Sequence, residues 1–199
     1  MCEVENRFVV DELVAKVNTL LPAPRSYQVV HADTSDARGT DVAFIYDDTK
    51  LEVPVPLSDS VFFHVVMRRN ATREIVQVNF KTKTSPARTW AVFGDHWPSR
   101  SGGKEVSAGY RAIAGETLAF FHSRVLEVHG VDTPVLAIGD FNDEPFDASL
   151  VTHALSTRQR EMVVNAVTRC CGTSCTPCWE KRTAASTSRT SRTCSISSW

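Results

Sequence analysis

Residues 133–145 read TPVLAIGDFNDEP, and the reading of this stretch decides the fold. Val135 to Ile138 is an unbroken apolar run behind Pro134, short and β-branched at two places, which predicts a buried strand. Gly139 breaks the run, and Asp140, Asn142, Asp143 and Glu144 follow at once. Oxygen donors and amides are thus delivered at the end of a core strand, where a sheet presents residues to a ligand. Such a set suits a hard divalent cation, which takes oxygen ligands in near-octahedral geometry. A polar turn is the plainer explanation, because Asp, Asn and Pro are what turns use anyway.

Outward from this strand the apolar pattern supplies the other elements. Val106, Tyr110, Ile113, Leu118, Phe121, Val125 and Val128 recur every three to five positions. That spacing predicts a long amphipathic helix from Glu105 to about Val128, with Gly130 as its stop. Strands are expected at Tyr27–Ala32, Asp41–Tyr46, Val61–Val66, Ile75–Lys81 and Thr89–Phe93, joined by short turns that imply antiparallel pairing. Val76, Val78 and Phe80 alternate with Gln77, Asn79 and Lys81, the period of a strand with one buried and one wet face. Near the start, Val9, Val10, Leu13, Val14, Val17, Leu20 and Leu21 form a helical stripe over Phe8–Leu21, ended by Pro22 and Pro24. A last helix is expected over Phe146–Leu155, with Asp147 near its first turn. His122 and His129 have no partner at metal-ligand spacing and read as structural or surface residues, and His153 reads as a surface residue.

Composition narrows the function. The chain has 199 residues and a net charge of -1, so nucleic acid would have to be bound by a local patch and not by an overall basic field. No apolar run is long enough to span a bilayer, and MCEVENRF is polar and acidic where a signal peptide is basic and then apolar. A cytoplasmic location is the expectation, with no membrane and no specific protein partner. The Gly-rich Ser101–Lys104 loop lacks the trailing GK[ST] of a phosphate-cradling P-loop.

Four segments carry a more specific signal: CEVEN from Cys2, RGTDVAFIYD from Arg38, GDHWPSRSGG from Gly94 and GDFNDEP from Gly139. In this order they resemble the endonuclease/exonuclease/phosphatase family, the DNase I-like metal-dependent phosphoesterases. The resemblance covers roughly the first five-sixths of the chain. It implies an α/β sandwich of two mainly antiparallel sheets packed face to face and flanked by helices, here incomplete at both ends. It implies Mg²⁺ or Mn²⁺ held chiefly by Glu3 with Asp140, although Glu3 and Glu5 also read as ordinary acids at a helix start. Asp140 and Asn142 would orient water, His96 would lie beside the scissile phosphate, and Arg100, Ser99 and Arg38 would contact the anion. Asp41 could line the same cleft or make a turn salt bridge. The family more often has Asn where this chain has Asp95. A phosphoester, nucleic acid among the candidates, is the implied substrate.

Residues 169–199 differ from the 168 before them. Five of the six cysteines fall here, among Ser, Thr and Arg, with almost no Leu, Val or Ile. Such composition cannot bury a core face, so no fixed structure is expected. A zinc or interaction module on Cys171, Cys175 and Cys178 is one alternative, with no clear fourth ligand. A shift of one base back turns Cys and Trp codons into Leu, Met or Val codons, and the many Ser codons that begin TC into Phe, Leu, Ile or Val codons. The tail therefore reads best as a frameshifted end. The family's closing Asp-His pair, with its general base, has no SDH-like counterpart in this sequence. Weak or absent turnover is the expectation.

Overall fold

The computed structural model describes residues 1–34, 39, 41–68, 72–159 and 161–162, together with the backbone of 195–198. Along the chain run α1 (Arg7–Leu20), β1 (Tyr27–Ala32), β2 (Val42–Asp47), β3 (Leu51–Glu52), β4 (Val61–His64), β5 (Ile75–Thr82), β6 (Thr89–His96), α2 (Lys104–His129), β7 (Val135–Asp140) and β8 (Ser195–Ser198). β1 and β2 form a two-stranded antiparallel sheet. The other six strands form a second sheet, in which β3, β4, β5 and β6 pair antiparallel while β6–β7 and β7–β8 are parallel.

Alternation along the strands sorts side chains into three apolar layers. On β2, Val42 and Phe44 face the large sheet, where Val76, Val78 and Phe80 of β5 meet them. Ala43 turns the other way and packs with Val10 and Val14 of α1. On β6, Ala91 and Phe93 face α2 with Val135 and Ala137 of β7, and Ala114, Leu118 and Val125 cover them from the helix. The order of layers is α1, small sheet, large sheet, α2: the two-sheet α/β sandwich expected from the sequence. The sheets approach closely at Gly94, where a Cβ would come within 2.6 Å of Phe44 and 2.7 Å of Val42.

The structure corrects three local readings. Gln77 and Asn79 are not on a wet face; both are buried, because α2 covers that side of β5. They are kept there by a hydrogen-bonded chain. His64 Nε2 meets Gln77 Oε1 at 2.8 Å, Gln77 Nε2 donates to Asn79 Oδ1 at 2.8 Å, and Asn79 Nδ2 meets His129 Nε2 at 3.3 Å. Buried amides are tolerated when every group finds a partner in this way. Burial also lowers the pKa of the His64 imidazole, which stacks on Phe121 with ring centroids 3.6 Å apart.

Second, the stripe on α1 is wider than its buried face. Val10 and Val14 are buried, whereas Phe8, Val9, Leu13 and Leu20 are exposed. Third, the helix expected over Phe146–Leu155 shrinks to one π-turn, Ser149–His153, closed by Ala154 N–H to Ser149 O at 2.9 Å. Asp147 does not serve a long helix. Its Oδ2 accepts from Glu144 N–H at 2.9 Å and its Oδ1 from Lys104 Nζ at 2.6 Å, holding the preceding turn.

Of the tail, Ser195–Ser198 runs parallel to β7 as β8. The proposed zinc cysteines Cys171, Cys175 and Cys178 lie outside the described residues. Among the described residues no helix is long and apolar enough to cross a membrane.

Candidate active site

The parallel pairing of β6 and β7 sets His96 opposite Asp140 in register. Paired residues of a sheet point to the same face, so both side chains emerge together at the carboxyl ends of two central strands. The close pairing demands glycine at position 139, with φ +150°, because a Cβ there would overlap the Asp95 carbonyl. Trp97 N–H donates to Asp140 O at 2.9 Å and extends the pairing one step beyond the strands.

Glu3 arrives from the other sheet. The N-terminal ammonium donates to Ala43 O at 2.6 Å, Ala43 N–H donates to Met1 O at 3.0 Å, and Val4 and Asp41 exchange hydrogen bonds of 3.1 and 2.7 Å. Residues 1–4 are thereby fastened along β2, and Glu3 Oε1 stands 3.8 Å from His96 Nε2. Asn6 caps α1 by accepting from Val9 N–H at 3.1 Å. Glu3 therefore precedes the helix and is not one of its first-turn acids. Its φ of +56° is a strained conformation for Glu, as +54° is for Leu155, whereas Asn142 adopts +52° in a region that Asn tolerates. Strain of this kind persists where the surroundings over-determine it, and it clusters at functional sites. A cavity of about 370 Å³ opens between the two segments, lined by Cys2, Val42, Phe44, Gly94, Gly139 and Asp140 among others.

The GDFND turn is held from below. Asp140 Oδ1 accepts from Asn142 N–H at 2.9 Å, and Asn142 Nδ2 donates to Trp97 O at 3.0 Å. Asp143, first grouped with the outward oxygen donors, points inward. Its Oδ2 pairs with Arg111 Nε at 2.7 Å, both side chains buried, and accepts from Ser149 Oγ at 2.6 Å. Arg111 also donates to Ser107 Oγ at 2.6 Å, Lys104 O at 2.8 Å and Pro98 O at 3.3 Å, so one guanidinium ties α2 to both motif loops. Sequence reading missed it, although a signal existed: Arg111 interrupts the buried face of α2 shared by Ser107, Ala114 and Leu118, and a charge there needs a counter-charge.

Other predicted residues fall less neatly. Arg100 Nη2 pairs with Glu144 Oε1 at 3.2 Å, so an incoming anion must compete with Glu144. Ser99 Oγ accepts from Ser101 N–H at 3.1 Å, and its carbonyl accepts from Ser107 Oγ at 2.8 Å. Arg38 lies outside the described residues. Asp41 turns to His31 and Thr34, 3.4 Å from His31 Nε2 and accepting from Thr34 N–H at 2.8 Å.

Asp95 adds no negative charge to the cleft surface. It is fully buried; Oδ1 accepts from Trp97 Nε1 at 2.9 Å and Oδ2 has no hydrogen-bond partner. Burial pushes its carboxyl from an ordinary 3.8 up to about 7. Between those values the folded chain keeps a proton that the unfolded chain has released, so Asp95 favours folding at low pH and this advantage is lost as pH rises towards 7. Asp95→Asn, uncharged at every pH, should flatten that slope. Urea midpoints taken in EDTA at pH 5 and pH 8 should lie closer together in the variant than in the parent chain; equal gaps would mean that Asp95 titrates normally.

The comparisons agree with this architecture. The human Nocturnin catalytic domain with bound sulfate matches with a TM-score of 0.56 at 16% identity, over 75% of this chain and 53% of that one. ANGEL2, a 2′,3′-cyclic phosphatase, matches at 0.52 and 16% identity, over 75% and 40%. Truncated Caenorhabditis elegans TDP2 matches at 0.50 and 11% identity, over 72% and 48%. At such identities the likeness is one of fold, and the chain spans about half the length of these structures or less. No curated protein matches the sequence. With the motif loops meeting at one cleft, and with a family model matched over residues 1–171, the chain belongs to the endonuclease/exonuclease/phosphatase family.

Proposed function

We propose that this chain carries the cation-binding and phosphate-contacting part of a divalent-metal-dependent phosphoester hydrolase, with Glu3 and Asp140 as the ligands of Mg²⁺ or Mn²⁺. The observation that carries the reading is that Glu3 Oε1 lies 3.8 Å from His96 Nε2 and that Asp140 sits opposite His96 in the β6–β7 register. Glu3 is largely exposed, and Asp140 is exposed with Oδ1 committed to one backbone N–H. Both are carboxylates open to solvent, the donor type that a hard cation prefers over nitrogen or sulfur.

A bound divalent cation supplies Lewis-acid polarisation of a phosphate oxygen. The chain's own residues do the rest. His96, buried with Nε2 beside Glu3, donates a hydrogen bond to the phosphate and offsets developing charge. Arg100 exchanges Glu144 for an anion oxygen, a swap that a guanidinium makes at little cost in geometry. Asn142 keeps the Asp140 carboxylate aimed through its N–H and anchors the turn through Trp97. A phosphoester substrate is in keeping with two proteins of the same fold, one solved with sulfate and one a cyclic phosphatase.

No SDH-like motif occurs in the sequence, and a general base typically contributes ~10²–10⁴-fold, so the turnover expected is slow. Hydrolysis of bis-p-nitrophenyl phosphate above the buffer rate should require Mg²⁺ or Mn²⁺, stop in EDTA and return when the cation is added back. A rate indifferent to EDTA would overturn the proposal.

A further inference from the structure

His31, Asp33 and Asp41 stand outside the cleft assignment, at the turn end of the β1–β2 hairpin. The register pairs His31 with Ala43 and Ala32 with Val42; continued by one step it sets Asp33 opposite Asp41. Alternation then puts His31, Asp33 and Asp41 on one face of the hairpin. Like charges directly across a strand pair repel, and here one of them, Asp41, is also largely buried. The arrangement calls for a cation between the carboxylates.

Three observations point to a metal ion as that cation. Among the described residues this is the one group of three His, Cys, Asp or Glu side chains whose ligand atoms all lie within 4.8 Å of one another. His31 is 3% exposed, and its Nε2 is buried with no hydrogen-bond partner although it faces Asp41 Oδ2 at 3.4 Å. That gap is too long for an ordinary N–H···O bond, whose usual range is about 2.7–3.2 Å. It matches the edge of a tetrahedron around one ion: Zn–N and Zn–O bonds of about 2.0–2.2 Å place two ligand atoms about 3.4 Å apart. The other oxygen of Asp41 is fixed by Thr34, through N–H at 2.8 Å and Oγ1 at 3.2 Å. Hydrogen bonds of this kind orient ligating carboxylates in metal sites.

We infer that His31, Asp41 and Asp33 form a second cation site, separate from the cleft, for a borderline first-row ion of the Zn²⁺ class. One imidazole with two carboxylates is the donor set that such an ion accepts and that Mg²⁺ does not favour. His31 Nε2 and Asp41 Oδ2 are the two fixed ligands. Asp33, 91% exposed and 3.3 Å from His31 Nδ1, would turn its carboxylate from that nitrogen onto the ion, with water completing the shell. The ion would clamp the small sheet, since two strands alone are marginally stable.

The test is Zn²⁺ binding by titration calorimetry, with Co²⁺ visible absorption as a second readout, on the full chain carrying Glu3→Gln and Asp140→Asn. That background removes the proposed cleft ligands, so failure here is distinguishable from failure of the cleft reading. One equivalent of Zn²⁺ should bind and produce a four-coordinate Co²⁺ spectrum. His31→Gln should abolish both, while the exposed change Asp33→Asn, which leaves the core untouched, should weaken binding about 10-fold or more. No stoichiometric binding, or binding unaffected by His31→Gln and Asp33→Asn, overturns the site. So does finding His31 as a protonated imidazolium in the presence of excess Zn²⁺.

Discussion

Arg111→Met should lower the unfolding free energy by about 3–5 kcal/mol, the usual cost of leaving one partner of a buried ion pair alone. The magnitude follows from burial: Arg111 is 0% and Asp143 is 4% exposed at the side chain, so water cannot solvate the stranded carboxylate. The double change Arg111→Met with Asp143→Leu should recover much of the loss, because removing both charges leaves no uncompensated group. Urea unfolding of the two variants measures this directly. If Arg111→Met costs less than about 1 kcal/mol, within the range of an exposed pair, the guanidinium is not buried where the structure places it. The pair also matters to the cleft, since it fixes the turn that carries Asp140 and Asn142.

Asp140→Ala should lower Mn²⁺ affinity and cation-dependent hydrolysis by about 100-fold or more. Outer partners of metal sites alone are worth roughly 10–100-fold, and a direct ligand is worth at least the upper end. Asn142→Ala should cost less, about 10-fold, because it keeps the N–H that Asp140 accepts and loses the anchor to Trp97 O together with Asn's tolerance of a φ of +52°. Equal losses for both variants would mean that the turn as a whole has collapsed. Unchanged binding for Asp140→Ala would remove that residue from the site.

The elements were legible in the sequence because apolar periodicity is local. The β1 strand and the stop of α2 at Gly130 fall where the pattern puts them. What periodicity cannot tell is which elements cover which faces. Gln77 and Asn79 read as solvated until α2 is laid over them, and Asp143 reads as a ligand until Arg111 is seen beneath it. Position along the chain likewise hid the meeting of Glu3 with His96, which depends on residues 1–4 pairing with β2. The resemblance placed Glu3 and Asp140 in one site; composition and spacing alone favoured an ordinary helix-start acid at Glu3 and a polar turn around Asp140. The His31 cluster left no sequence signal, since its three ligand residues converge only through hairpin register.

The most direct measurement of the central claim is a double-mutant cycle of Mn²⁺ affinity on Glu3→Gln and Asp140→Asn, run in a His31→Gln background and followed by electron paramagnetic resonance of free Mn²⁺. If one ion is shared by both carboxylates, each single change should weaken binding at least 10-fold and the double change should cost far less than the sum of the two. Strictly additive losses, or a Glu3→Gln chain that binds Mn²⁺ as tightly as its parent, would mean that the two carboxylates do not hold a common ion.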